Sequence, residues 1–153
     1  MVEATANQQA EAKKNQGNEA FKRQDFQSAI RLYTEALRIQ PSETILSNRA
    51  AVFISMKQFR KAVEDCQAGI RINPQFARIY KRLFKSQLAL GNIQDAQVAL
   101  ETAIQLDPSD ATNAKDKESL TTLNHMLNLL ERFTTDENDQ DFERAVTYCT
   151  NIM

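Results

Sequence analysis

Apolar residues recur along this chain at intervals of three and four positions, the spacing that puts side chains on one face of an α-helix. The segment from Phe26 to Ile39 is typical, with apolar residues at Ala29, Ile30, Tyr33, Ala36 and Leu37. Pro41 follows closely, and proline cannot continue the hydrogen-bond ladder of a helix. The pattern therefore predicts an amphipathic helix that ends just before Pro41.

This pattern returns with a period of about 34 residues, which is the period of solenoids built from helix–turn–helix repeats. Four classes of position keep the period: Pro41, Pro74 and Pro108; Phe26, Phe59 and Ile93; Ala29, Ala62 and Ala96; Ala36, Gly69 and Ala103. Repeats of this kind build a curved binding surface and rarely carry catalytic chemistry. We therefore predict an all-α fold, a right-handed solenoid of helix–turn–helix repeats.

The repeats divide the chain into segments. We expect a flexible leader over residues 1–9 and three repeats over residues 10–110, with turns at residues 22–25, 57–58 and 91–92. After Pro108 the period fails. A long helix is expected from Asp110 to about Arg132, with a stripe formed by Leu120, Leu123, Leu127 and Leu130.

Beyond that helix, Phe142 and Ala145 echo Phe26 and Ala29 out of phase with the repeat. We interpret residues 111–153 as the long helix and the start of an irregular fourth repeat. A chain that ends inside a repeat predicts a truncated piece of a longer protein, because solenoids end on a dedicated cap.

Composition narrows the class of protein. The 153 residues include only three glycines and three prolines and are 42% hydrophobic, which argues against a turn-rich β fold and against disorder. The net charge of −1 gives no overall field towards nucleic acid or membrane surfaces. No segment approaches the ~20 apolar residues of a membrane span or resembles a signal peptide. We expect a soluble, cytoplasmic monomer without nucleic-acid or membrane partners.

The candidate chemistry is sparse. Cys66 and Cys149 fall at apolar helix positions without metal-ligand spacing, so we expect two reduced core residues, which favours an intracellular compartment. The single histidine, His125, lies on the long helix with no predictable nucleophile beside it. No glycine-rich phosphate loop occurs. We therefore expect no enzymatic activity, no metal and no cofactor.

We expect the first helix of each pair to line the concave face. The residues on that face are predicted to be Glu11, Lys14, Asn15, Asn18, Phe21 and Lys22; Thr44, Ser47, Asn48, Ala51, Ile54 and Ser55; and Arg78, Lys81, Arg82, Lys85 and Leu88. Six are basic and one is acidic. Asparagine amides suit the end of a peptide backbone, and Arg78 and Arg82, one turn apart, can close on one carboxylate. These residues predict a groove for an anionic peptide.

The in-phase positions Gly17, Phe21, Phe26, Ala29, Ala36 and Pro41 resemble the tetratricopeptide repeat. The resemblance is strong over residues 10–108 and loose beyond them. The tryptophan common early in that repeat is absent, with Lys13, Leu46 and Tyr80 in its place. By itself, the resemblance implies a module that binds peptides or proteins.

Five residues of the predicted face resemble the carboxylate clamp of co-chaperone tetratricopeptide domains: Lys14, Asn18, Asn48, Arg78 and Arg82. This resemblance implies a partner, the C-terminal Glu-Glu-Val-Asp of the seventy- and ninety-kilodalton heat-shock chaperones. It also implies that the first three residues hold the terminal main-chain carboxylate and the two arginines hold the aspartate side chain. Arg78 stands where lysine is more usual.

The stretch Ala-Leu-Gly91-Asn92, the Arg78/Arg82 pair and the irregular fourth repeat resemble the N-terminal repeats of co-chaperones that join such repeats to a J-domain. The His-Pro-Asp signature of the J-domain itself does not occur in this sequence.

Other functions stay open. A scaffold that binds an internal or helical segment of a partner would depend on Phe21, Ile54 and Leu88 and would be indifferent to a free C-terminus. Self-association through the helix with the leucine stripe, or through the open end near Met153, would give a dimer in light scattering. Nucleic-acid binding is less favoured, because no aromatic residues alternate with the cations as stacking platforms.

Overall fold

The computed structural model describes the backbone of residues 2–135 and, within that range, the side chains of all but residues 2–4, 130 and 133–135. These residues form seven α-helices and no strand: α1 (Val2–Lys22), α2 (Phe26–Ile39), α3 (Glu43–Ser55), α4 (Phe59–Ile72), α5 (Ala77–Ala89), α6 (Ile93–Leu106) and α7 (Asn113–Thr135). None of these helices is long and apolar enough to cross a bilayer. The predicted all-α class is confirmed.

The chain divides into two compact units, residues 1–107 and residues 108–153. The first unit holds α1–α6, and α7 is the described helix of the second. The expected start of a fourth repeat, with Phe142 and Ala145, lies outside the described residues, and so does Cys149.

Within the first unit, α1–α2, α3–α4 and α5–α6 form the three predicted helix pairs, and each helix contacts the next one along the chain. Contacts between alternate helices join α1 to α3 and α3 to α5, whereas among the described helices none joins α2 to α4 or α4 to α6. The first helices of the pairs therefore lie closer together than the second ones, and α1, α3 and α5 form the inner side of this unit.

The turn inside each pair uses one residue in the left-handed region of the backbone. Gln24, Lys57 and Gly91 have φ of 63°, 58° and 79°. The amide after each of them closes the end of the first helix, as when Asp25 N donates to Ala20 O at 2.9 Å. All three turns are where the sequence predicts them, and only the third uses the residue type that adopts this conformation without strain.

Small residues occupy the positions where the helices pack most tightly. Ala29, Ala62 and Ala96, one position class of the repeat, are completely buried. Gly69 belongs to a second class, and a Cβ there would overlap the Ile79 side chain of α5. Larger side chains would separate the helix axes, so the repeat keeps alanine and glycine at these positions.

Two predicted boundaries are wrong. The segment expected as a flexible leader over residues 1–9 is helical from Val2 onwards, because alanine and glutamine favour helix and no glycine or proline interrupts it. The long helix begins at Asn113 rather than Asp110 and ends at Thr135. Asp110 Oδ1 accepts a hydrogen bond from Thr112 N at 2.8 Å, and this local turn delays the helix.

The thiol of Cys66 is free and has no exposed surface. Burial, assisted by the negative charge of Asp65, raises its pKa to about 12. Since only the thiolate reacts, we expect Cys66 of a Cys149→Ser variant to react with Ellman's reagent at pH 8 about a thousandfold more slowly than an unhindered cysteine. The same sample in denaturant should react fully, and fast labelling of the native protein would contradict the burial.

Candidate functional site

A groove of about 910 Å³ is lined mainly by α1, the turn that follows it and α2, and it reaches α3 and α5. Its walls include Asn15, Asn18 and Phe21 of α1, Asn48 and Ala51 of α3, and Arg82 of α5. Three of the five residues predicted to hold a ligand therefore line one hollow, although they are separated by as many as 64 positions in the sequence.

The two asparagines are joined directly. Asn48 Nδ2 donates to Asn18 Oδ1 at 3.0 Å, which links the first repeat to the second. The hydroxyl of Tyr33, on α2, donates to the same oxygen at 2.6 Å. Asn18 Oδ1 thus accepts two hydrogen bonds from the protein, and Asn18 Nδ2 has no partner among the described residues.

Tyr33 is assigned by the sequence only to the core, and this assignment is incomplete. Its ring is buried, and an added Cβ at Gly17 would lie 2.7 Å from its Cε1 atom. Burial raises the pKa of the phenol to about 12, so the hydroxyl keeps its proton at neutral pH. The sequence does indicate that the Tyr33 hydroxyl has a hydrogen-bond partner, because a buried tyrosine hydroxyl needs one.

Arg82 brings a cation into the groove. Its Nε atom is buried and has no hydrogen-bond partner among the described residues. Burial, followed by the nearby charge of Arg78, lowers the pKa of Arg82, which as an arginine remains protonated at neutral pH. A buried donor without a partner is costly, so this atom is suited to an acceptor supplied by a ligand.

The other two predicted residues stand apart from this hollow. The guanidinium of Arg78 is exposed and lies 5.9 Å from the centre of the Phe76 ring. Lys14 Nζ lies 2.6 Å from Glu11 Oε1 and does not line the groove. Glu11 is 55% exposed and Lys14 is 19% exposed, so water reaches this pair, its contribution to stability is small, and Lys14 can exchange Glu11 for another carboxylate at low cost.

The charge of the groove is more balanced than the sequence predicts. Of the six predicted cations, Lys22 and Arg82 line it, and Arg23 and Arg31 are added. Glu19 and Asp25 line it as well, and Glu19 is paired with Lys22 at 2.8 Å. The four cations still outnumber the two acidic residues, so the excess charge of the lining is positive. The described residues contain no cluster of side chains that could hold a metal ion.

An ion pair missed by the sequence reading holds α3 in place. Arg49 Nε and Nη2 donate to the two carboxylate oxygens of Asp65 at 2.8 and 2.7 Å, and Arg49 Nη1 donates to Thr34 Oγ1 at 2.9 Å. These bonds connect α3 with α4 and with α2. Since Asn48 is the neighbour of Arg49, the pair also fixes the position of a groove residue.

Family models for the tetratricopeptide repeat match residues 10–43 and residues 53–117, together more than half of the chain. This chain belongs to the tetratricopeptide-repeat family. The matched residues cover α1 from residue 10 onwards, all of α2 and α4–α6, and only the two ends of α3.

Two curated relatives match this chain over a part of their own length. "Heat shock protein STI1" of Saccharomyces cerevisiae is 36% identical over 113 residues, which are 72% of this chain and 19% of that protein. "DnaJ homolog subfamily C member 7" of Homo sapiens is 31% identical over 145 residues, 94% of this chain and 28% of that protein. The chain therefore spans less than a third of the length of either relative.

Solved tetratricopeptide domains have the same fold. "First TPR of Spaghetti (RPAP3) bound to HSP90 peptide SRMEEVD" aligns with a TM-score of 0.74 and 25% identity, over 79% of this chain and 97% of that one. The "TPR2B-domain:pHsp70-complex of yeast Sti1" aligns with a TM-score of 0.72 and 26% identity, over 77% of this chain and 98% of that one. The predicted solenoid of tetratricopeptide repeats is confirmed.

Proposed function

We propose that this domain is a co-chaperone adaptor that binds the C-terminal Glu-Glu-Val-Asp tail of seventy- and ninety-kilodalton heat-shock chaperones. The observation that carries the proposal is the meeting of Asn18, Asn48 and the unpartnered Nε of Arg82 in one groove. Similar domains were solved with an HSP90 peptide that ends in EEVD and with pHsp70. An adaptor of this kind needs no catalytic residues, and we place it in the cytoplasm with a reduced Cys66.

Five residues have roles in this proposal. Asn18 and Asn48 donate amide hydrogens to the terminal main-chain carboxylate, and Lys14 leaves Glu11 to join them. Arg82, with Arg78 beside it, holds the aspartate side chain. The Lys14 ammonium already pairs with a carboxylate, that of Glu11, and this supports its role in binding the carboxylate of the peptide.

The strength of binding follows from opposing contributions. Hydrogen bonds to charged groups contribute roughly 1.5–3 kcal/mol each, while ordering a flexible peptide and losing its translational freedom offset much of that sum. We expect a dissociation constant of about 1 μM, near −8 kcal/mol. Affinity should fall as salt rises, because the exposed charges of the groove are screened.

Amidation of the peptide's C-terminus tests the proposal. Removing the terminal charge should weaken binding at least tenfold, about 1.4 kcal/mol, in a calorimetric titration of a free and an amidated peptide of the same sequence. A peptide with its order scrambled but its free carboxylate retained is the control for charge alone.

Equal affinity for the free and amidated peptides would refute the proposal. It would favour a scaffold that binds an internal or helical segment of its partner. Phe21 lines the groove and Leu88 is more than a third exposed, so both are accessible to such a ligand. Loss of binding in a Phe21→Ala variant, together with indifference to amidation, would support that second function.

A further inference from the structure

We infer that Tyr33 determines the preference of the groove for a free carboxylate, by holding the amide of Asn18 with its nitrogen towards the ligand. Tyr33, on α2, also lines the groove, but it is only 1% exposed and its hydroxyl donates to Asn18 Oδ1, so we assign it a positioning role. The inference rests on the proposed function and concerns how that site selects its ligand.

The hydrogen bonds fix the orientation of the amide. Asn18 Oδ1 accepts from Tyr33 Oη at 2.6 Å and from Asn48 Nδ2 at 3.0 Å. An asparagine side chain has one acceptor oxygen and one nitrogen with two donor hydrogens. A flipped Asn18 would lose the hydrogen bond that Tyr33 Oη donates to its oxygen, and its NH₂ would face the NH₂ of Asn48 unless that amide turned as well. The oxygen therefore stays on the protein side.

The consequence is that Asn18 offers donors to the groove. Its Nδ2 has no partner among the described residues, and the residue lines the groove. A carboxylate accepts hydrogen bonds with both oxygens, whereas the NH₂ of a C-terminal amide would meet a second donor. An amidated peptide should therefore bind less tightly for two reasons: it lacks the terminal charge, and its NH₂ group would face the NH₂ group of Asn18.

Tyr33 is suited to orient Asn18 because its hydroxyl stays protonated and its ring is fixed by packing. Burial raises the pKa of its hydroxyl to about 12, so it donates throughout the neutral range. The ring is 1% exposed and lies so close to Gly17 that any added Cβ would collide with it. Because Gly17 has no side chain, the Tyr33 ring can pack directly against α1.

The test is the variant Tyr33→Phe, which keeps the ring and removes the hydroxyl. We expect its affinity for the free-acid Glu-Glu-Val-Asp peptide to fall about three- to tenfold, the effect of one hydrogen bond, with little change for the amidated peptide. The acid-to-amide affinity ratio should fall by the same factor. Tyr80→Phe is the matched control, because Tyr80 does not line the groove and its hydroxyl donates to Pro74 O at 2.9 Å, away from Asn18.

Two outcomes separate this inference from the proposed function. If the unmodified protein binds acid and amide equally well, the proposed function fails. If the unmodified protein prefers the free-acid peptide and the Tyr33→Phe variant has the same acid-to-amide affinity ratio, only the role of Tyr33 is overturned. In an Asn18→Ala background, Tyr33→Phe should cause no further loss; an equal additional loss would show that Tyr33 does not act through Asn18.

A measurement on the unmodified protein covers the case in which Tyr33→Phe does not fold. The side-chain NH₂ resonances of Asn18 should shift when the free-acid peptide is added, because those hydrogens acquire an acceptor. Tyr80→Phe should show the same shift. Asn18 NH₂ resonances that stay unchanged at saturating peptide would overturn the inference, since the nitrogen would then not face the ligand.

Discussion

Replacing Arg82 by alanine is expected to weaken binding of a free-acid Glu-Glu-Val-Asp peptide by about 10- to 150-fold, the loss of one charge-assisted hydrogen bond of about 1.5–3 kcal/mol. The effect is large because Arg82 lines the groove with a buried Nε that no described residue satisfies. Fluorescence anisotropy of a labelled peptide measures it. Arg82→Lys keeps the charge but lacks the planar guanidinium, so its peptide affinity should lie between that of the unmodified protein and that of Arg82→Ala.

Arg71→Ala is the matched control for this experiment. Arg71 is exposed in the last turn of α4 and does not line the groove, so its loss changes the net charge by the same amount. We expect its effect on peptide affinity to stay within about twofold, because a distant exposed charge is screened. Equal losses in the two variants would mean that the groove attracts the peptide only through overall charge.

Replacing Asp65 by alanine is expected to lower the free energy of unfolding by about 3 kcal/mol, measured by urea denaturation. Asp65 is 5% exposed and accepts two hydrogen bonds from Arg49, which would be left partly buried without its counter-charge. The Arg49 side chain is 20% exposed, so water reaches part of it, and we expect the lower end of the range for broken buried pairs.

The neighbouring residue provides the control for Asp65. Glu64 is exposed on the same helix, and Glu64→Ala should change the free energy of unfolding by no more than about 0.5 kcal/mol. The double variant Arg49→Met, Asp65→Leu should recover much of the loss, because apolar residues avoid the cost of desolvating two charges. An Asp65→Ala variant as stable as Glu64→Ala would show that the ion pair is not a structural link.

The fold could be predicted because its determinants are local and periodic. Pro41, Pro74 and Pro108 stop the second helix of each pair, and the alanine classes mark where helices pack. Each of these features acts within one repeat, so its spacing is visible in the sequence. The inner position of α1, α3 and α5 follows from the same periodicity, and it places Asn18, Asn48 and Arg82 on one side.

The remaining features depend on side chains that are distant in sequence or on competing local bonds. Periodicity places Lys14 on the inner face but cannot show that Glu11 holds it. Nothing in the spacing of Arg49 and Asp65 identifies them as partners, since they meet only once α3 and α4 are packed. A buried tyrosine needs a partner for its hydroxyl, but the spacing of Tyr33 does not show that this partner is Asn18.

The contact of α1 with α3 and of α3 with α5 means that the proposed ligand would touch all three repeats at once. In a linear array each repeat is stabilised only by its neighbours, and the end ones open most readily. A peptide held by Asn18 and Arg82 together would act as a bridge across that array. Fraying of the first repeat would then be suppressed when the tail is bound, and a shortened version lacking α1 and α2 would lose recognition even if its remaining helices stayed folded.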